Sequence, residues 1–253
     1  MKLESIVSYV DSYLAVHEHP DYPPAFNGLQ VEGPPNILCV AAAVDASLAT
    51  ITEAAQRGAD LLLVHHGLFW AGTAPLTGRR FERVRALVDG KLGLYSCHLP
   101  LDAHAEVGNC ALLARAIGLE PSRRFGEYEG TGIGWEGALD EAVPVSVLVD
   151  RVREAVGGGA VHLIEGGPKS VERVGVITGG GASFLHEAAR LGLDALVTGE
   201  GPHHTHIDAM ELGVHVLLGG HYATETFGVR ALAAHLAERF EVDWFFIDQP
   251  TGL

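Results

Sequence analysis

The segment VDASLATITEAAQRGADLLLVHHG, beginning at Val44, aligns without a gap on TGGGASFLHEAARLGLDALVTGEG, beginning at Thr178, at a constant offset of 134 residues. Glu53, Ala54, Ala55, Gly58, Asp60 and Gly67 fall on Glu187, Ala188, Ala189, Gly192, Asp194 and Gly201. Both copies read as strand, turn, amphipathic helix, a glycine near the helix end, then an apolar strand. That order is a βαβ unit, and a crossover of this length joins parallel strands. In each half a second helix-sized gap leads to another apolar strand, LGLYSCH or GVHVLLGGH. The chain is thereby restricted to the α/β class, as two similar domains produced by an internal duplication, three-layered, with largely parallel or mixed sheets.

A length of 253 residues fits one large domain or two intimate small ones. The glycine-rich stretch from Pro121 to Gly137, PSRRFGEYEGTGIGWEG, has little periodicity and is the expected seam between the halves. Beyond it we expect a short strand at GALD, a turn at Pro144, and a helix from Ser146 with Val147, Val149, Val152 and Val156 as its apolar positions. A helix over TFGVRALAAHLAERF then runs into a last strand, DWFFID. The repeat plan returns that strand to the first sheet, giving intertwined domains at 1–125 plus 226–253 and at 126–225, with a metal cleft between them.

The formal charge is −15, with 32 acidic against 17 basic residues, a surface that repels nucleic acid and anionic membrane. Arg79, Arg80, Arg83 and Arg85 form one basic cluster. A solvated helix face is the favoured reading there, a phosphate-binding cluster the sharper one. The longest uninterrupted apolar run, ILCVAAAV, is far short of a membrane span, and the N-terminal segment lacks a signal-peptide pattern, so a cytoplasmic protein is expected. Cys39, Cys97 and Cys110 form no C-x-x-C pair and read as buried small hydrophobes, with Cys97 next to His98.

Chemistry concentrates at the ends of the apolar strands, where an open α/β sheet places its ligands. His65 and His66 end one strand; His98 with Asp102, and His221 with Glu225, follow two others as His-x-x-x-acid pairs. Imidazoles and carboxylates together suit zinc, iron or manganese, and a bridging carboxylate suits two such ions side by side. Adjacent histidines point to opposite faces within a strand, but at a strand-to-loop junction before Gly67 both can reach one site. His98 is open to three roles: ligand, support for a ligand, or proton donor. His104 is read as exposed, and His203, His204 and His206 as a solvent-facing or cleft-lining loop. His17, His19, His162, His186, His215 and His235 are assigned to structure. Gly179 to Gly181 leaves weak scope for anion binding; neither it nor Gly157 to Gly159 has the spacing of G-x-G-x-x-G or a Walker lysine, and no G-x-S-x-G elbow occurs.

VHHGLFW, the H-x-x-x-D of CHLPLD, TGE at Thr198 to Glu200, GGHYATE, NGLQVEG from Asn27 and GIGWEGAL from Gly132 together resemble the NIF-three-like family, also labelled GTP cyclohydrolase I type 2 homologues, in its short bacterial form. Trp135 and Glu136 depart from that family's usual Arg-x-Gly. The resemblance implies two divalent metal ions per chain, held by His65, His66, Asp102, His221 and Glu225, with His98 close by as the catalytic candidate. It also implies a homohexamer, a trimer of dimers. The activity it implies is hydrolysis of a nucleotide or related small molecule through a metal-activated water, opening of the guanine ring of GTP or phosphoester cleavage. A non-enzymatic metal-binding or interaction protein forming a ring-shaped oligomer is the alternative.

Overall fold

The computed structural model describes residues 1–70 and 74–253. In chain order its first half contains α1 (Leu3–Tyr13), β1 (Gly28–Val31), β2 (Cys39–Asp45), α2 (Leu48–Gln56), β3 (Leu61–His66), α3 (Gly78–Asp89), β4 (Gly93–Ser96), α4 (Leu99–Ala103) and α5 (Asn109–Ala116). Next come β5 (Arg123–Tyr128), β6 (Thr131–Pro144), α6 (Val145–Ala155), β7 (His162–Ile164), β8 (Ser170–Val176), a 3-10 turn and α7 (Leu185–Arg190). The chain ends with β9 (Ala195–Thr198), α8 (Thr205–Leu212), β10 (His215–Leu218), α9 (His221–Thr224), α10 (Thr226–Phe240) and β11 (Asp243–Phe246).

These elements form two compact α/β units, neither of them a continuous segment. The first takes Met1–Leu101 with Gly228–Gln249, the second Asp102–Phe227 with Pro250–Leu253. The first unit therefore ends at Leu101, earlier than the seam expected near 125. The reason is packing: Leu113, Ala114 and Ile117, on and just after α5, lie in one apolar cluster with Leu139, Leu148 and Val174 of the second unit.

The first unit's sheet has the order β1-β4-β3-β2-β11, with β2, β3, β4 and β11 parallel and β1 antiparallel at the edge. β11 pairs with β2, so the last strand does return to the first sheet. Ala41, Ala43, Leu62, Val64 and Leu94 pack with Ile51 and Ala54 of α2 and Leu87 of α3. Val40, Ala42, Leu61 and Leu63, on the opposite face, are as fully buried. Burial of both faces is what makes these strands continuous apolar runs without alternation.

The second unit repeats the plan. β7, β10, β9 and β8 follow one another as β1, β4, β3 and β2 do, again with three parallel strands and an antiparallel edge strand. β6 and β5 extend this sheet by antiparallel pairing with β8. The stretch expected as a seam is thus a long hairpin, turning at Glu129 and Gly130 with φ of 46° and 83°, the doubly positive φ of a tight two-residue hairpin turn. The short strand expected at GALD is the middle of the 14-residue β6. In α6 the buried face is Leu148, Val149 and Val152, while Val147 is exposed; the helix begins at Val145, which turns the apolar stripe onto Leu148.

The duplication extends to individual hydrogen bonds. Oδ2 of Asp60 accepts from the N–H groups of Leu38 and Cys39 at 2.7 and 3.1 Å. Oδ2 of Asp194 accepts from Glu172 and Arg173 at 2.9 and 2.8 Å, the same positions displaced by one repeat. Gly58 and Gly192 each follow their helix with positive φ, 78° and 68°, closing it in the left-handed conformation that glycine takes without a Cβ penalty. Among the described residues, no helix is long and apolar enough to cross a membrane.

Loss of either aspartate leaves two backbone donors at the start of a central strand without their carboxylate. Asp60→Ala and Asp194→Ala should each lower the unfolding free energy by about 1–3 kcal/mol, read by urea denaturation. Equal losses in the two halves are expected from the equal geometry; no loss at either would remove the strand-anchoring role.

Candidate metal centre

In the first unit β3 ends in His65 and His66, and the chain after β4 delivers His98. Each of the three offers a ring nitrogen within 4.8 Å of the others. His65 is fully buried and His98 nearly so. Nδ1 of each ring is held by a different acceptor: His65 donates to the carbonyl of Cys97 at 3.0 Å, His66 to Asp45 at 3.0 Å and His98 to Asp21 at 2.7 Å. With the proton fixed on Nδ1, the lone pair of the neutral ring lies on Nε2, the arrangement found behind metal-ligating imidazoles. Trp70 stands edge-on to His98, with ring centroids 4.8 Å apart.

The support around this cluster comes from residues the sequence reading did not single out. Asp21 is tied by Asn27 Nδ2 at 2.8 Å and by the N–H of Leu99 at 3.0 Å, while Asn27 Oδ1 accepts from the N–H of His98 at 2.8 Å. Burial pushes the Asp21 carboxyl upward, but the hydrogen bond and charge of His98, with Asn27 and the Tyr22 N–H, outweigh it and leave its pKa below the usual range. Gln30 Oε1 accepts from the N–H of Leu68 at 2.7 Å, which directs the chain as it leaves His66. Asn27 and Gln30 both lie in NGLQVEG, so that motif was visible while its purpose was not. Cys97, expected as a buried small hydrophobe next to His98, is buried and contributes its backbone carbonyl.

The second unit assembles a different donor set. Asp102, on α4, and Glu225, after α9, are buried and bring carboxylate oxygens within 4.8 Å of each other. Oδ1 of Asp102 accepts from Asn109 Nδ2 and from Thr178 Oγ1, both at 2.9 Å. Thr178 also lies 3.3 Å from the Cys110 thiol, which burial, then the Asp102 charge, pushes up to about 12. His221 has Nε2 3.3 Å from Glu225 and Nδ1 3.0 Å from Glu200. The hydrogen bond to Glu225 raises its pKa to about 9 against the opposing effect of burial, with Glu200 adding to the rise.

Gly179 completes this set. Its φ is +61°, and a Cβ there would stand 2.1 Å from Oε1 of Glu225. Thr224 Oγ1 accepts from the Gly179 N–H at 3.0 Å, and Thr198 Oγ1 donates to its carbonyl at 3.1 Å. The triple glycine, weighed in the sequence as an anion loop, here clears room for a carboxylate.

His203, His204 and His206 are exposed and join none of these groups. His104 Nδ1 accepts from the N–H groups of Glu106 and Val107, capping a turn. His215 and His235 hold Pro168 and Tyr9. Arg85 pairs with Glu82 on α3, whose one buried residue is Leu87, in keeping with a solvated face.

The donor chemistry fits a divalent transition metal in both units. In the first unit three imidazoles converge, each oriented through Nδ1, and in the second two buried carboxylates approach each other with the His221 ring beside Glu225. Soft thiolate donors are absent from both groups, and mixed imidazole and carboxylate donors suit zinc, iron or manganese.

The family model Duf34/NIF3 (NGG1p interacting factor 3) matches residues 1–252. Among curated relatives, a Deinococcus radiodurans protein is 45% identical over 251 residues, covering 99% of this chain and 94% of its own. A Pyrococcus horikoshii protein is 43% identical over 253 residues, covering both chains fully. An Escherichia coli K12 protein is 42% identical over 231 residues, or 91% of each chain. All three carry the name GTP cyclohydrolase 1 type 2 homolog. Of solved structures, the structural-genomics protein ybgI, described as of unknown function, aligns with a TM-score of 0.91 at 39% identity over both chains. One from Thermus thermophilus aligns at 0.88 with 41% identity, again over both.

In the metal-free protein His221 should keep its proton to pH about 9, and Glu225→Gln should bring its titration midpoint down toward the ordinary value near 6.5, read from imidazole proton shifts by NMR. Because the folded value is raised, the stabilisation from this proton is complete below about pH 6.5 and disappears as pH rises through about 9. An unchanged midpoint in the variant would separate His221 from Glu225.

Proposed function

Since the chain belongs to the Duf34/NIF3 family, we propose that it is a dinuclear metal-dependent hydrolase acting on a nucleotide or related small molecule, with His65, His66, Asp102, His221 and Glu225 as ligands. The observation that carries this reading is the complementarity of the two donor sets: oriented imidazoles in one unit, buried carboxylates with an imidazole in the other. By donor type the five side chains, three imidazoles and two carboxylates, are those used by two-metal hydrolytic centres. Divalent ions bound there would acidify water and polarise a substrate oxygen.

The chain's own residues divide the remaining work. Cys97 and Asp45 hold His65 and His66 with Nε2 as the donor atom. His98 differs, because the acceptor on its Nδ1 is a buried carboxylate tied by three further hydrogen-bond donors. Asp21 compensates the charge when His98 takes up a proton, as the buried aspartate does in a hydrolytic triad. His98 is therefore assigned as the group that delivers a proton to the leaving atom. Asn109 and Thr178 fix the rotamer of Asp102, and Glu200 that of His221. The name borne by the relatives points to guanine nucleotides and ring opening; phosphoester cleavage uses the same parts.

Protein reconstituted with zinc, iron or manganese should hold about two equivalents per chain by elemental analysis. Asp102→Ala and Glu225→Ala should each reduce that content and lower turnover on the responsive nucleotide by about 100-fold or more. His98→Gln should lower kcat while leaving metal content at the wild-type level. Metal-replete protein inert toward nucleotide and phosphoester panels would reject the hydrolase, and a fall in melting temperature on chelation would then favour the metal-binding interaction protein.

A further inference from the structure

Beside Asp102 the second unit carries a cation that the ligand set does not use. Arg124 and Trp135 face each other directly across the β5–β6 ladder. The guanidinium carbon of Arg124 lies 4.6 Å from the centroid of the indole ring. The Trp135 Nε1–H donates to the carbonyl of Ala103 at 3.3 Å, the residue next to Asp102. Backbone pairing, stacking and this hydrogen bond together place an arginine head next to the short helix that presents a candidate metal ligand.

Few polar contacts with the protein hold that guanidinium. Arg123 and Arg173 share one acidic partner, Glu136 on β6. Arg124 makes one hydrogen bond to protein, from Nη1 to the Gly132 carbonyl at 3.1 Å, and among the described residues no carboxylate lies within ion-pair distance of it.

We propose that Arg124, stacked on Trp135, binds the phosphate of a phosphate-bearing substrate alongside Asp102. The fork of a guanidinium keeps its remaining N–H donors in one plane and matches two phosphate oxygens at once. Stacking on the indole removes rotamer freedom before the ligand arrives, so less is lost on binding. Trp135 acts as a positioning residue and Arg124 as the group that touches substrate. The proposal rests on the small-molecule hydrolase reading and deepens it by naming the residue that recognises the substrate's phosphate.

The test is calorimetric binding of guanosine monophosphate and guanosine to the metal-loaded full chain, with metal content measured on the same samples. Wild type should prefer the phosphorylated probe. Arg124→Gln should weaken guanosine monophosphate by at least about tenfold, as expected for a lost charge-assisted hydrogen bond, and leave guanosine unchanged. Arg124→Lys should fall between, keeping the charge without the fork. Trp135→Phe, which keeps an aromatic face, should retain most of the preference, whereas Trp135→Leu should lose it. No preference in wild type, or an Arg124→Gln variant that binds the phosphate probe as wild type does, overturns the proposal. A variant that loses both probes equally with an unchanged melting temperature also overturns it. Full metal content with no effect of Arg124→Gln defeats this inference alone. An Arg124-dependent preference in protein that takes up no metal defeats the metal reading alone.

Discussion

One aspartate in each half joins the amino-terminal ends of three neighbouring parallel strands. Asp60 takes two backbone N–H groups at the entry to β2 on its carboxylate, gives its own N–H to the Cys39 carbonyl, and receives the N–H of Gly93 at the start of β4 on its carbonyl. Asp194 does the same for β8, β9 and β10 through Glu172, Arg173 and His215. Parallel strands have no hairpin to set their register, so an anchor of this kind substitutes for one. With the entries aligned, the carboxyl ends fall at one level. β2 there delivers Asp45, β3 delivers His65 and His66, and β4 leads into His98. Side chains from three strands can then be positioned to tenths of an ångström, which ligand geometry demands.

On that common frame the two copies diverge at the positions that matter for binding. Position 45 is an aspartate that orients His66; its repeat partner, Gly179, has no side chain and thereby leaves space for Glu225. His65 and His66 correspond to Gly199 and Glu200, so where the first copy has a histidine pair the second has a glycine and an orienting carboxylate for His221. Duplication preserved the Asp60 and Asp194 anchors and the glycine caps, whose roles are purely conformational. The strand ends were free to specialise because loops there carry no register information.

Much of this was legible in the sequence, for identifiable reasons. The βαβ repeat stood out because its offset never changes and because helix periodicity, apolar strand runs and terminal glycines are all local signals. The histidines and acids at the strand ends stood out because sheet topology places such ends together. Asp21 was invisible by contrast: it lies 77 residues from His98 along the chain, and nothing local distinguishes it from any other surface aspartate. Gly179 looked like an anion loop because its neighbour, Glu225, is brought in by folding alone. The β5–β6 hairpin escaped because its glycines, required where Phe125 and Ile177 press close, erase the alternation that marks an edge strand. The domain boundary moved for a related reason, since α5 is amphipathic in sequence but only packing decides which sheet it covers.

The second unit's carboxylates explain why its site calls for a cation at all. Asp102 and Glu225 are both buried, within 4.8 Å of each other, in a chain whose net charge is already −15. Asn109 and Thr178 stabilise Asp102 by hydrogen bonding but supply no positive charge. Removing two like charges from water costs several kcal/mol unless a counter-charge is present. In the metal-free molecule the proton on His221 supplies it, held by Glu225 and Glu200 until pH about 9. A metal ion that takes the His221 lone pair must displace that proton, so proton and metal are alternative counter-charges for one acidic pocket and loading is coupled to proton release. The first unit has no such requirement: its imidazoles are anchored through Nδ1 whether or not an ion is bound. The two halves are therefore unequal in energetics as well as in donor types, one a set of imidazoles oriented in advance by hydrogen bonds and the other an electrostatic cost that cation binding offsets.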